Sequence, residues 1–268
     1  MIESLRPGVS AANARVVLFD FDGTISLIRS GWVDVMVPMM VEILLDLKTG
    51  ETEEDLRAIV EDFVGRLTGK QTMYQMIELA EQVSQRGGKP LDPLQYKHQY
   101  LERLHDKIRD RLVELRQRRC PPDKYLVPGA RRLLESLYQR GLTMYLASGT
   151  DQPYMREEAD LLDVSRYFRG GVFGALDDYK SFSKRILIQR LIAAAHAKGD
   201  EFLGFGDGYV EIENIKEVGG VAVGVATAEP ECQVVDEWKR KRLARVGADY
   251  IIPNFLCHDE LMQTLFAQ

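Results

Sequence analysis

The stretch Arg15-Val16-Val17-Leu18-Phe19-Asp20-Phe21-Asp22-Gly23-Thr24 constrains this chain more than any other. A short, β-branched apolar run stops at two aspartates one residue apart, then a glycine and a threonine. Continuous rather than alternating hydrophobicity predicts a strand sealed on both faces, as in a parallel sheet covered by helices. Gly23 can turn the chain sharply without a Cβ penalty. In an open α/β sheet, ligands gather beyond the carboxyl ends of the strands, which is where Asp20 and Asp22 would stand. Asp and Gly are also ordinary turn residues, so the pair alone does not separate a turn from a site. The rest of the chain decides.

The 268 residues leave room for one large domain or a core with a smaller insert. Hydrophobic residues make up 45% and charged ones 28%, an ordinary globular composition. A formal charge of −6 argues against nucleic-acid binding by broad phosphate neutralisation. It is compatible with a small phosphorylated molecule, because a bound divalent cation inverts the local field. Cys120, Cys232 and Cys257 are scattered and outside any zinc-ligand spacing, which predicts reduced thiols and a cytoplasmic setting. Met1 to Asn13 lacks the apolar core of a signal peptide. The longest apolar stretch, Val33 to Leu47, is broken by Asp34, Pro38, Glu42 and Asp46, so no membrane span is expected.

Residues 1–14 read as a polar tail, and Ile25 to Trp32 as a connector after the first strand. From Val33 to Arg119 the periodicity is helical. Val33, Met36, Val37, Met40, Leu44 and Leu47 share one face, with Gly50 as a stop and the methionines read as packing. Thr52 and Asp55 have the spacing of a capping box, opening a helix through Leu67. A third helix spans Thr72 to Gln85, and a fourth runs from Pro93 to Arg118 and ends before Pro121-Pro122. His98 and His105 lie on that charged helix and are expected to face solvent.

From Lys124 onward the rhythm is helix, glycine, strand. Helices are expected at Ala130–Arg140, Pro153–Leu162, from a Ser181 or Ser183 cap to Lys198, and from after Gly206-Asp207-Gly208 to Val218. Strands are expected at Leu142–Ala147, near Val172-Phe173, and at Glu201–Phe205, Val221–Ala226 and Tyr250–Ile252. Alternating strands and helices predict a mostly parallel sheet with helices on both faces. The expected organisation is thus an α/β core from residues 1–32 and 121–268, with an all-helical insert at 33–120 after the first strand.

Four places offer polar groups that could converge. Asp20 and Asp22 end the first strand. Ser148 and Gly149 offer a hydroxyl and backbone N–H groups suited to phosphate oxygens. Lys184, in the first turn of a helix, is badly placed for the helix dipole unless an anion joins it there; Lys180 in the preceding loop is the alternative. Asp207 and Glu211, just past a strand and in the first helical turn, can face one cation.

In this order the residues resemble the four motifs of the haloacid dehalogenase-like superfamily of phosphotransferases, whose DxDGT signature Asp20-Phe21-Asp22-Gly23-Thr24 matches at every fixed position. The resemblance implies a Rossmann-like three-layer core and a helical C1-type cap formed by the insert. It implies a Mg²⁺-dependent phosphatase of a small phosphorylated metabolite, a sugar phosphate or similar, working through an aspartyl-phosphate. Asp20 would be the nucleophile and Asp22 the acid and base. Mg²⁺ would be held by the Asp20 carboxylate, the Asp22 backbone carbonyl and Asp207, with Glu211 in support. Ser148, the Gly149 N–H and Lys184 would grip the phosphoryl group. Asp22 argues against carbon–halogen cleavage, which has no leaving oxygen to protonate.

Gly69-Lys70-Gln71-Thr72, between two helices of the insert, reads either as a loop supplying substrate contacts through Lys70 and Gln71 or as a solvated turn. It is not a Walker A loop, being short and following no strand. A phosphomutase of the β-phosphoglucomutase type would share all four motifs, and phosphonate cleavage would need a cap lysine, Lys48 or Lys70. A non-catalytic metal-binding or interaction module is the reading from another class. Ser148 lacks the G-x-S-x-G elbow of a serine hydrolase. His196 and His258 have no nucleophile pattern nearby in sequence. The basic run Lys239-Arg240-Lys241-Arg242 is flanked by acids and reads as a solvated helix face.

Overall fold

The computed structural model describes residues 2–176 and 184–266, with the side chain of Lys184 also outside the description. Its strands are β1 (Glu3–Ser4), β2 (Val16–Phe19), β3 (Thr143–Asp151), β4 (Gly171–Ala175), β5 (Phe202–Gly206), β6 (Val221–Val225) and β7 (Tyr250–Ile252). They form one sheet in the order β1-β7-β6-β5-β2-β3-β4, parallel throughout except where β1 meets β7. The helices are α1 (Val33–Leu45), α2 (Glu53–Leu67), α3 (Thr72–Gln85), α4 (Pro93–Arg116), α5 (Ala130–Gln139), α6 (Gln152–Leu161), α7 (Lys184–Ala194), α8 (Tyr209–Glu217), α9 (Glu237–Arg245) and α10 (His258–Phe266).

The unbroken apolar run of β2 is buried at every residue, as a strand with parallel partners on both sides must be. Side chains alternate along it. Val16 and Leu18 join a core with Ile188 of α7, Val210 and Ile215 of α8 and Leu243 of α9. Phe19 therefore points to the opposite face. There it stacks on Phe205 with centroids 4.7 Å apart, while Phe168 and Phe255 approach the pair edge-on. Helices of 3.6 periodicity thus cover a sheet of period two on either side.

The chain divides into two compact units, Met1–Ser30 with Val113–Gln268, and Gly31–Leu112. The boundary falls inside α4. Within the second unit α1 packs on α2 and α3, and Met36, Met39 and Met40 are buried there. Thr52 caps α2 by accepting the Asp55 N–H at 3.1 Å, and its hydroxyl donates to the Asp55 carboxylate at 2.7 Å. His98 and His105 are exposed on α4.

Some expectations are corrected. Residues 1–14 are not a free polar tail: Glu3 and Ser4 pair with Ile251 and Tyr250, and Ala11 is fully buried. A two-residue edge strand is too short to show a period. The strand expected at Leu142–Ala147 continues to Asp151 through a register shift against β4. The helix expected to reach Lys198 ends at Ala194, with His196 at φ +49°. Ser181 and Ser183 lie outside the described residues. Among the described residues, no helix is long and apolar enough to cross a membrane.

All three cysteines are free. Cys232 is 1% exposed, and burial, aided by the nearby Glu229 charge, pushes its thiol up to about 11. Because the thiolate is the reactive form, iodoacetamide at mildly alkaline pH should leave Cys232 unmodified in the folded protein. Peptide mapping by mass spectrometry should find it alkylated only after denaturation.

Candidate active site

Parallel register fixes where the chemistry-bearing residues stand. Phe19 is paired with Leu146 on one side and Phe205 on the other. Asp20 and Asp207 therefore follow the ends of β2 and β5 at the same edge of the sheet, beside Ser148 in the continuing β3. The Asp20 N–H still donates to the Phe205 carbonyl at 2.9 Å, and its side chain is buried. The chain then doubles back: the Phe21 carbonyl accepts N–H bonds from Ile25 at 2.8 Å and Ser26 at 2.9 Å. Gly23 turns at φ +74°. A Cβ on Gly23 would come within 2.4 Å of Asp207 Oδ2 and 3.0 Å of Glu229 Oε1. Only glycine lets those carboxylates approach this turn.

Asp22 Oδ2 accepts the Ser148 hydroxyl at 2.9 Å and the Thr150 hydroxyl at 2.9 Å. Ser148 Oγ in turn accepts the Thr150 N–H at 2.9 Å. Asp22 Oδ1 is buried with no hydrogen-bond partner among the described residues, and Arg29 Nε stands 4.0 Å from it. Arg29 grips Glu158 of α6 at 2.7 to 3.1 Å through Nε and one terminal nitrogen, and its guanidinium lies 5.6 Å over the Tyr154 ring. Burial pushes the Glu158 carboxyl above the usual range; Arg29 opposes that shift and the Asp22 charge adds to it.

Asp207 is tied to the same turn, its N–H donating to Thr24 Oγ1 at 2.9 Å. Its Oδ2 pairs with Lys239 Nζ at 2.9 Å, and the same ammonium donates to Glu229 Oε1 at 2.9 Å. This corrects the solvated-face reading of residues 239–242. Lys239 is four positions before Leu243, which is fully buried, so the helical period turns the lysine inward with it. Only 13% of its side chain is exposed. Burial would lower the ammonium, but Asp207 and Glu229 outweigh it and hold Lys239 well above its usual range.

The structure thus joins Asp22 to Ser148 and sets Asp207 against the Asp20–Thr24 turn. Glu211 is wholly buried behind β5, its Oε2 3.2 Å from where a Gly206 Cβ would lie. Gly149 lies in β3 between the two hydroxyl residues. The Lys184 backbone opens α7, while its side chain and all of Lys180 lie outside the described residues. In the second unit Lys70 is exposed, with Nζ 5.4 Å over the Tyr74 ring, and Gln71 is buried as the N-cap residue of α3. Thr150, Arg29, Glu158, Glu229 and Lys239 were not singled out as site residues by sequence. Only Thr150 and Lys239 carried a signal, the first as a second hydroxyl after Ser148-Gly149 and the second through its spacing to Leu243.

His258 also has partners that sequence proximity concealed. Its Nε2 is 2.8 Å from Ser136 Oγ and its Nδ1 3.0 Å from Asp259. Asp259 is 78% exposed and bonds Arg132, so the arrangement links α5 to α10 at the surface rather than desolvating a nucleophile.

Among the described residues, no group of three or more His, Cys, Asp or Glu side chains is disposed to hold a metal ion. The implied Mg²⁺ set takes two carboxylates, Asp20 and Asp207, and a backbone carbonyl, with Glu211 only in support. The donors fit a hard cation: all are oxygens, and the space left by Gly23 cradles Asp207 beside the Asp20 turn.

The sequence profile described as haloacid dehalogenase-like hydrolase matches residues 14–219. No protein of curated function matches the sequence. Among solved structures, a predicted phosphoglycolate phosphatase from Haemophilus somnus is 14% identical with a TM-score of 0.59, covering 94% of this chain and 99% of that one. A predicted phosphatase from Clostridium acetobutylicum is 18% identical with a TM-score of 0.57, covering 93% and 97%. CbbY from Rhodobacter sphaeroides, solved in complex with phosphate, is 13% identical with a TM-score of 0.53, covering 90% and 95%. At these identities the likeness is one of fold.

Two substitutions test the site's construction. Gly23→Ala should cost at least about 1–2 kcal/mol from the left-handed backbone alone, read as a fall in urea stability. Arg29→Met leaves the buried Glu158 unpaired and should cost about 3–5 kcal/mol, most of it regained in the Arg29→Met/Glu158→Met double variant by the same measurement.

Proposed function

Since the chain belongs to the haloacid dehalogenase-like hydrolase family, we propose that it is a Mg²⁺-dependent phosphatase of a small phosphorylated metabolite, a sugar phosphate or similar. The observation that carries this reading is the convergence on Asp22 Oδ2 of two hydroxyls from β3, Ser148 at 2.9 Å and Thr150 at 2.9 Å. They join the second carboxylate of the acidic turn to the strand end suited to phosphate oxygens. An arriving phosphoryl group offers those hydroxyls, and the Gly149 N–H beside them, a second set of acceptors.

Asp20 is the nucleophile in this reading. Its carboxylate forms a bond to phosphorus as the ester oxygen leaves with its electron pair. Asp22 gives that oxygen a proton, and the substrate departs as an alcohol. The Asp22 carboxylate then takes a proton from water, whose oxygen bonds to phosphorus while the bond to Asp20 breaks. Inorganic phosphate and free Asp20 result. Arg29, held by Glu158 at 2.7 to 3.1 Å, stands 4.0 Å from the other Asp22 oxygen and leaves Oδ2 to the two hydroxyls.

Mg²⁺, held by Asp20, the Asp22 carbonyl and Asp207 with Glu211 behind, supplies the positive charge that lets one anion approach another. Lys184 is proposed to add to that charge at the phosphoryl group. The all-helical unit is proposed to be the cap that selects the leaving group, with Lys70 and Gln71 as its candidate contacts. The three free cysteines suit a reducing cytoplasm.

The test is phosphate release from an aryl phosphate by the purified chain. It should require Mg²⁺, stop on chelation, and fall at least about a thousandfold in Asp20→Asn with the circular dichroism spectrum unchanged. Activity that survives Asp20→Asn removes the nucleophile and the reading with it.

A further inference from the structure

Lys239 stands beside the implied metal ligand, and neither the family motifs nor the proposed chemistry uses it. Its ammonium lies 2.9 Å from Asp207 Oδ2 and 2.9 Å from Glu229 Oε1, with 13% of the lysine side chain and 17% and 18% of the carboxylates exposed. Both carboxylates crowd the same point of the acidic turn, 2.4 Å and 3.0 Å from where a Gly23 Cβ would stand. Glu229 belongs to none of the four motifs. It sits after β6, in the segment that leads toward α9.

We propose that Lys239 is a resident counter-cation that competes with the divalent metal for Asp207 and withdraws onto Glu229 when the metal takes that carboxylate. The inference rests on the reading of Asp207 as a metal ligand. Its physical basis is charge. Without a metal, Asp20, Asp22, Asp207 and Glu229 gather around one turn, and an ammonium at hydrogen-bond distance offsets part of their repulsion. A divalent cation on Asp207 stands close to that ammonium in a poorly hydrated place, where like charges repel strongly. Stripping the ammonium of both carboxylates would leave a largely buried charge unpaired, a costly state. Glu229 removes that difficulty, because the ammonium already touches it and keeps one full partner after Asp207 is lost.

The arrangement has two consequences. The turn is held together before metal arrives, and the affinity for metal is set below what the bare carboxylates would give. A lysine that merely held Asp207 in position would act with the opposite sign, because removing it would loosen a ligand and weaken binding. The two roles therefore separate by the direction of one measurement.

The experiment is Mg²⁺ titration of the full chain by calorimetry, with no substrate present, on the wild type, Lys239→Met and Glu229→Gln. Lys239→Met should bind Mg²⁺ about tenfold or more tightly, and its melting temperature without metal should fall and be restored by Mg²⁺. Glu229→Gln leaves the ammonium with Asp207 as its one carboxylate partner among the described residues and should bind Mg²⁺ several-fold more weakly than the wild type. Equal or weaker binding by Lys239→Met overturns the inference and leaves the phosphatase reading standing on its own test. If Lys239→Met does not fold, unchanged affinity in Glu229→Gln overturns it. Absence of Mg²⁺ binding in both the wild type and a folded Lys239→Met overturns the inference together with the assignment of Asp207 as a ligand, which loss of phosphate release in Asp20→Asn alone would not do.

Discussion

The parallel register of β2 between β3 and β5 is the constraint on which everything else depends. Phe19 pairs with Leu146 and with Phe205, so β2 and β5 end almost level while β3 runs on past them to Asp151. A slip of one residue would send Val17 and Phe19 into the helix-covered core that now holds Val16 and Leu18. Burial on both faces forbids it. The acidic turn, the two hydroxyls of β3 and Asp207 meet because that register leaves them nowhere else to go.

Crowded carboxylates are the electrostatic cost of the site, and the described residues offset it with two kinds of cation. Arg29 is held by Glu158, so it stands 4.0 Å from Asp22 without being free to clamp it. Lys239 is shared between Asp207 and Glu229. Each cation is thus tied to a carboxylate outside the family motifs, which moderates its pull on the carboxylate within them.

Much of this was legible in the sequence. The run Val16–Phe19 announced a buried parallel strand, and the glycine-punctuated rhythm after Lys124 announced the α/β order. The helices after Trp32 could be read almost to the residue, because amphipathic period, a Thr52 cap and the Pro121-Pro122 stop all agree. What stayed hidden depended on pairing across distance. Glu3–Ser4 has too few residues for a pattern, and its partner is at 250–251. Ser136 and His258 are 122 positions apart. Lys239 sat in a run of like charges that ordinarily faces water, and only its spacing to Leu243 hinted otherwise. Burial of a lysine follows from which acids wait on the other side, and sequence does not say where they are.

The interruption after β2 has a bearing on how the chain is made. Val16 bonds alongside Thr143 and Phe202, so its two neighbours leave the ribosome about 127 and 186 residues after it does. Gly31–Leu112 is continuous in sequence and needs none of those later residues for its own internal contacts. The helical unit therefore emerges while Val16–Phe19, apolar and buried at every residue in the fold, waits unpaired for its sheet. That delay leaves an apolar strand with both edges open to unwanted association in the nascent chain. The aspartates that follow it, besides any chemistry they perform, are the charges that keep such a strand in solution until its partners arrive.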